Sequence, residues 1–277
     1  MDPTGPRHPR SGAQLRNVAD PEMARIRTQR GLPVPLALVL TLLFLAIPLR
    51  DFIEAMSSNL GGYGAVDYDL YMGATRRWLD GGSFYEPYQL SGPYPITAGD
   101  ILYPPVALVL FTPFVFLPAV LWWIVPLSVT CWAIWRLHPQ PTLWPFMALC
   151  AAWPPTLVKV VTGNPVIWVV AAVALGTLYR WPYVGVLLKP SLFPFALLGI
   201  RSRCWWLALG AFVLACVPFG AFWIAWLSTI LNAEGGGLAY SVQEVPMLLL
   251  PLIAAIPLAR LRRSSGTASR DTREVSG

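Results

Sequence analysis

Residues 101–233 contain no aspartate or glutamate, and this restricts how the chain can fold more than any other feature does. The stretch consists of apolar runs interrupted by proline, and its few charged side chains are all basic. Over the whole chain 12% of residues are charged, whereas about 25% are charged in a soluble domain. Since backbone polar groups in lipid must be satisfied internally, the composition predicts an all-α fold: one polytopic membrane helix bundle.

Eight apolar segments are candidate membrane spans, each close to the length needed to cross a bilayer. The first covers residues 32–49, and the others cover residues 101–117, 119–137, 143–158, 160–179, 182–200, 204–231 and 245–258. Proline is frequent at residues 153–165 and 181–194, so these parts are predicted to be broken or re-entrant.

Arginine is concentrated at both ends of the chain, with six before the first predicted span and five after the last. The positive-inside rule therefore predicts that residues 1–31 and 260–277 are cytoplasmic tails, and their composition predicts disorder. Between them, residues 32–259 form the predicted transmembrane domain in the cell membrane. Residues 50–100 become an extracytoplasmic loop. Nucleic acid is not an expected partner, because no folded basic domain presents the charge.

The extracytoplasmic loop is acidic, since seven of the fourteen acidic residues lie within residues 51–100. In its middle, Val66, Leu70, Ala74 and Trp78 recur at helical spacing. This pattern predicts a short amphipathic helix in the membrane interface, ended by Gly81-Gly82.

Asp67 and Asp69 fall on the first turn of that predicted helix. They project about 200° apart around the axis, so only one of them can face a common site. Two interpretations of Asp67 stay open. It caps the helix, where the helix dipole favours a carboxylate, or it acts as a general base that removes a proton from an acceptor hydroxyl.

Lys159 and Lys189 are the only lysines, and each lies within an apolar run. An ionisable group at membrane depth costs about 2.5–3.5 kcal/mol on insertion scales, so it indicates function unless it reaches the interface. Because residues 101–233 offer no carboxylate, we expect the partner to be an acid of the outer loop or an anionic ligand. No metal ion or cofactor is expected, since histidines and cysteines lack ligand spacing.

Aromatic residues and prolines flank the predicted spans. The sequence Tyr103-Pro104-Pro105 predicts a rigid entry into the second span. The aromatic residues that flank the loop predict an interfacial belt, and their faces could also stack on sugar rings; they are Trp78, Phe84, Tyr85, Tyr88, Trp122 and Trp123.

The order of these features resembles glycosyltransferase family 87, membrane mannosyltransferases of the C superfamily. The resemblance covers roughly residues 35–220. It is carried first by Asp67-Tyr68-Asp69-Leu70-Tyr71, Ala74, Leu79, Gly82, Tyr85, Tyr103-Pro104-Pro105 and Pro113. It is carried further by Gly163-Asn164, Lys189-Pro190, Arg201 and Arg203. Family members continue for more spans, so the resemblance is to a shortened member.

The resemblance implies that Asp67 is the catalytic base. It also implies a C-type bundle, a polyprenyl-phosphate mannose donor and inverting transfer to a lipid or glycan acceptor at the extracytoplasmic face. An embedded cation should meet the donor phosphate, with Lys189, Arg76 and Arg77 as candidates. The supporting residues are Asp69, Tyr71, Tyr103, Pro104 and Asn164.

Two functions of other classes also fit the sequence. One is a non-catalytic membrane partner of a cell-envelope glycosylation complex, which would not need the Asp67 carboxylate. The other is a lipid or solute transporter with both lysines in its path, although the chain lacks the internal repeats common in such proteins. Under the transferase hypothesis, Asp67 and a basic side chain should line one cavity.

Overall fold

The computed structural model describes residues 32–58, 64–97, 99–234 and 237–256, and the structural statements below concern these residues. The two tails that the sequence predicts to be disordered, residues 1–31 and 260–277, lie outside the described residues.

The described chain is mostly helical, which confirms the predicted all-α class. Its α-helices are α1 Val34–Ser58, α2 Val66–Leu79, α3 Pro87–Ser91, α4 Leu108–Phe116, α5 Leu121–Leu137, α6 Trp144–Ala151, α7 Pro154–Val161, α8 Val166–Tyr179, α9 Phe193–Ala196, α10 Arg203–Cys216, α11 Phe222–Asn232 and α12 Val245–Ala254. The 3₁₀ helices are Pro105–Ala107, Pro141–Leu143, Trp181–Leu188, Pro190–Leu192, Leu197–Gly199, Val217–Phe219 and Gly237–Glu244. A short parallel strand pair, β1 Tyr94–Pro95 and β2 Ala233–Glu234, joins the loop after α3 to the end of α11.

Prolines divide the predicted spans into short pieces. The segment predicted at residues 143–158 breaks after Ala151, and Pro154 then begins α7, a position where its missing N–H is not needed. Residues 181–199 form a series of short 3₁₀ and α turns rather than one helix, as the prediction of a broken segment requires.

Among the described residues, no single helix is both long and apolar enough to cross a bilayer. Three helix pairs pass that test together, each bent at a short break. They are Pro105–Phe116 with Leu121–Leu137, bent by 117°, Pro141–Ala151 with Pro154–Val161, by 63°, and Arg203–Phe219 with Phe222–Asn232, by 94°. The eight-span topology stays a prediction.

The predicted helix of the acidic loop exists as α2, and it ends before Gly81, as predicted. Of the predicted apolar stripe, Ala74 is buried and Leu70 and Trp78 pack against the core, while Val66 at the first turn is exposed. The buried side also carries Tyr68 and Tyr71. Their rings pack against Trp122, Trp123 and Phe111 of helices α5 and α4. Tyrosine packing therefore adds to the apolar stripe in setting the rotation of this helix.

Three of the six aromatic residues predicted for an interfacial belt lie in the core instead, whereas Trp78 and Trp123 are half-buried and Tyr88 is exposed. Phe84, Tyr85 and Trp122 are at most 1% exposed. Phe84 packs against Phe111, and the Tyr85 hydroxyl donates to the Tyr103 carbonyl at 3.0 Å. Phe84 and Tyr85 are buried because the segment after α2 folds back onto α4 instead of lying along a surface.

The turn after α7, residues 161–165, docks against the start of α2. The Val161 and Thr162 carbonyls accept hydrogen bonds from the Ala65 and Tyr68 amides, at 3.1 and 3.0 Å. The last carbonyls and the first amides of a helix otherwise lack hydrogen-bond partners. This junction therefore pairs the end of α7 with the start of α2. Trp122 Nε1 donates to the Gly163 carbonyl at 2.7 Å, which fixes the turn from the α5 side.

We predict that Gly163→Ala destabilises the fold by about 2–3 kcal/mol, because a Cβ there would meet two packed side chains. It would lie 2.6 Å from Trp123 Cζ2 and 2.9 Å from Tyr68 Cβ, at a backbone φ of +71°. Unfolding by denaturant in detergent micelles measures the loss.

The matched control for this variant is Gly73→Ala on the open face of α2, where a new Cβ meets nothing within 4 Å. Alanine is the better helix former by about 1 kcal/mol, so this control should be neutral or stabilising. Equal effects of the two changes would contradict the packing described for the turn.

Candidate active site

A cavity of about 440 Å³ lies beside the first turn of α2. Its lining includes five side chains that the sequence predicted for one site: Asp67, Tyr71, Tyr103, Asn164 and Lys189. Loop residues before the 3₁₀ helix Pro105–Ala107 and side chains from α7 complete the wall; they are Ile96, Thr97, Asp100, Leu102, Val158, Lys159 and Thr162, with Val66 and Gln243.

Asp67 is held by the turn after α7. Its Oδ2 atom accepts hydrogen bonds from Thr162 Oγ1 at 2.8 Å and from Asn164 Nδ2 at 2.7 Å. Asn164 is itself fixed, because its Oδ1 accepts from the Val166 amide at 3.1 Å and from the Tyr103 hydroxyl at 3.3 Å. The amide therefore presents its nitrogen to Asp67, and the carboxylate has a defined orientation.

The capping interpretation of Asp67 does not fit this geometry. The residue at the N-cap of α2 is Ala65, which makes no side-chain capping bond. Two side chains of the α7 turn donate to Oδ2 instead. A carboxylate held in a fixed orientation on a cavity wall has the arrangement of a general base.

Asp69 points away from the cavity, as the helical angle between the two acids predicts. Its side chain is exposed and does not line the cavity. Pro104 also lies off the wall and precedes the 3₁₀ helix Pro105–Ala107, with φ −67°. That position fits the rigid entry that the sequence predicts.

Lys189 is buried with an acid that sequence reasoning missed. Its Nζ donates to Glu244 Oε1 at 2.6 Å, and both side chains are at most 4% exposed. The expectation of a partner from the outer loop or from a ligand is therefore wrong. Glu244 ends the 3₁₀ helix Gly237–Glu244, just beyond the acid-free stretch. A lone glutamate directly before the last apolar run was the available signal.

Lys159 approaches the same carboxylate oxygen from α7. Its Nζ lies 3.9 Å from Glu244 Oε1, beyond hydrogen-bonding distance, and 24% of its side chain is exposed. Lys189 also lies 5.4 Å from the centre of the Tyr103 ring, within the range of a cation–π contact. The cavity wall thus carries two ammonium groups that share one buried glutamate.

Arg76 and Arg77 lie at the other end of α2, about 13–15 Å along the axis from Asp67. Arg77 Nη2 pairs with Glu86 Oε1 at 2.7 Å and also reaches the Phe84 carbonyl at 3.4 Å. Neither arginine lines the cavity. The resemblance offered them only as cations that could meet the donor phosphate, and their distance from the cavity does not favour that role.

Asp100 forms the opposite wall of the cavity and is buried. The Tyr88 hydroxyl donates to its Oδ1, while the Thr97 amide and hydroxyl donate to its Oδ2. The loop is anchored through Tyr94, whose hydroxyl donates to the Thr229 carbonyl at 2.9 Å. This wall is therefore attached to α11, and its carboxylate oxygens are already engaged.

We predict that Glu244→Gln destabilises the protein by about 3–5 kcal/mol, because it leaves the Lys189 ammonium buried beside a neutral amide. Replacing both partners by methionine should recover most of this loss, since apolar side chains need no partner. Unfolding in detergent micelles measures each variant.

The control for the buried pair is Glu54→Gln, which breaks the exposed Arg50–Glu54 pair on α1. Exposed pairs of this kind contribute about 0.3–0.5 kcal/mol, so the change should be small. A Glu244→Gln protein as stable as this control would contradict the buried pair.

The hydrogen bond to Asp100, together with burial, raises the pKa of Tyr88 from its ordinary 10 to about 12. A raised pKa means that the folded state holds its phenol proton more tightly. The stability that the folded state gains from this bond is fully present below pH 10 and is lost as the pH rises towards 12. We predict that the phenol absorbance lost in Tyr88→Phe titrates near pH 12. A difference titration centred near pH 10 would contradict the bond.

No model of a known protein family matches the chain, and no curated protein or solved structure matches it either. Within the described residues, no group of three or more histidine, cysteine, aspartate or glutamate side chains is placed to hold a metal ion. Function is therefore argued from the geometry of the cavity, together with the motif resemblance.

Proposed function

We propose that the protein is an integral membrane glycosyltransferase. It moves a hexose, mannose by the resemblance, from a polyprenyl-phosphate donor to a hydroxyl acceptor at the extracytoplasmic face of the cell membrane. The observation that carries the proposal is the cavity in which the anchored Asp67 carboxylate shares a wall with Lys159 and Lys189.

The chemistry needs a base and a group that stabilises the departing phosphate. Asp67 Oδ1 takes the proton of the acceptor hydroxyl, whose oxygen attacks the anomeric carbon from the face opposite the phosphate. The bond between that carbon and the phosphate oxygen breaks, and its electron pair leaves with the polyprenyl phosphate. A lysine ammonium of the wall stabilises this negative charge in place. The configuration at the anomeric carbon is inverted.

The size and lining of the cavity suit a sugar phosphate. Its volume of about 440 Å³ falls within the range of about 300–1,000 Å³ common for small-ligand sites. Tyr71 and Tyr103 are buried, touch each other edge to face, and present aromatic surface to the cavity. Such surface can pack against a sugar ring.

Exposed apolar side chains support a membrane location. Leu207 and Leu214 of α10 and Leu231 of α11 are each more than 70% exposed, and most of α1 is also apolar and exposed. Apolar surface of this extent is costly in water and is the surface that lipid covers. A lipid-linked donor can reach such a protein laterally from the bilayer.

We predict that Asp67→Asn lowers the transfer of labelled mannose from polyprenyl phosphate by about 10²–10⁴-fold, the usual contribution of a general base. The amide keeps the shape of the side chain and loses the ability to take a proton. Transfer is measured with the full chain in membrane vesicles.

The matched control is Asp80→Asn, which removes a carboxylate at the exposed C-terminal end of the same helix. It should transfer at the normal rate. If Asp67→Asn also transferred at the normal rate, the proposed reaction would be overturned. A wild-type chain that never transfers the sugar would instead favour the non-catalytic partner.

A further inference from the structure

The two lysines of the cavity stand in different relations to Glu244. Lys189 makes a hydrogen-bonded ion pair at 2.6 Å, whereas Lys159 stays 3.9 Å from the same oxygen. The side chains of Lys189 and Glu244 are at most 4% exposed, while that of Lys159 is 24% exposed. Both lysines line the cavity, but Lys189 belongs to a short buried ion pair, whereas the side chain of Lys159 is more exposed and less closely paired.

We propose that Lys159 is the side chain that contacts the phosphate group of the ligand, and that Glu244 is a positioning residue that holds Lys189 as a fixed support. This rests on the function proposed above for the identity of the ligand, a lipid-linked phosphate. The assignment of the anion contact to Lys159 stands on the geometry of the three charged side chains.

Charge balance explains why Lys159 is the available cation. Two ammonium groups share the single carboxylate of Glu244, so the trio carries one net positive charge. Within this trio Lys159 is the ammonium that the carboxylate holds less closely, so it is the one that an anion entering the cavity would meet.

The cost of moving each lysine points the same way. Taking Lys189 to a ligand would leave the Glu244 carboxylate without its short hydrogen bond in a buried environment, which is strongly unfavourable. Moving Lys159 gives up only a long contact, because Glu244 keeps Lys189. Its four-carbon stem is flexible enough to follow a ligand.

The position of Lys159 also places it near the base. It lies in the last turn of α7, three residues before Thr162, and its carbonyl accepts from the Asn164 amide at 2.9 Å. Three residues correspond to about 4.5 Å along a helix. The same turn therefore carries Lys159 and the two side chains that anchor Asp67, so the cation and the base are set relative to each other.

The test measures binding of polyprenyl phosphate to the full chain in nanodiscs, without any transfer step. We expect Lys159→Gln to weaken binding tenfold or more, and Lys159→Arg to restore most of it. The double change Lys189→Met with Glu244→Met keeps the Lys159 ammonium and should weaken binding less than Lys159→Gln does. Arg136→Gln removes an exposed positive charge outside the cavity and should leave binding unchanged.

Inorganic phosphate as a competitor separates the two sources of the ligand. Weak competition, together with the loss in Lys159→Gln, supports a lipid-linked phosphate at this site. Competition as strong as that of the lipid supports the Lys159 anion contact with free phosphate as its ligand.

The proposal would be overturned if Lys159→Gln bound polyprenyl phosphate as tightly as the wild type does. It would also be overturned if only the double variant lost binding tenfold. Either result would count even if Asp67→Asn abolished transfer. Conversely, a chain that binds through Lys159 but never transfers sugar would overturn the proposed reaction and leave this inference standing. Should the double variant not fold, the comparison of Lys159→Gln with Lys159→Arg still decides, because equal binding by both would refute a charge contact.

Discussion

The junction between the end of α7 and the start of α2 is the contact on which the rest of the cavity depends. Carbonyls at the end of one helix accept from amides at the start of the other, so two sets of groups that would otherwise be unpaired satisfy each other. The same turn supplies the side chains of Thr162 and Asn164 to Asp67. Its close approach needs glycine at position 163. Side chains of this backbone-paired turn, rather than a helix cap, therefore orient the carboxylate.

The irregular parts of the chain are where the cavity is built. Thr162 and Asn164 follow the end of α7, Lys189 lies between two 3₁₀ helices, and Glu244 ends another. Backbone that leaves regular helix within an apolar bundle must be buried in protein or line a cavity. Prolines interrupt the helices at these positions. Polar side chains are found there because an interrupted helix leaves both unpaired backbone N–H and C=O groups and open space. The helix breaks that make the predicted spans hard to count are therefore the positions from which the cavity residues come.

Much of this could be predicted from the sequence, and the failures share one physical cause. Helical spacing predicted α2 and its end, and it separated Asp67 from Asp69, because these are local properties of the chain. The partner of Lys189 was missed because Glu244 lies 55 residues away, and a pairing over that distance depends on how the helices pack. The burial of Phe84 and Tyr85 was missed for the same reason. The sequence pattern does not show that the segment after α2 packs onto α4.

One glutamate shared between two lysines is an unusual way to keep charge inside an apolar fold. A buried lysine paired with one glutamate would be stable, but its charge would already be neutralised and could not bind a ligand. A second, partly exposed lysine lies 3.9 Å from the same oxygen and is paired less closely than Lys189. The fold then holds positive potential at a defined place before any ligand arrives, and little reorganisation is needed when negative charge appears. Because the same helix end orients both this cation and Asp67, rigidity of the α7 turn governs the whole cavity.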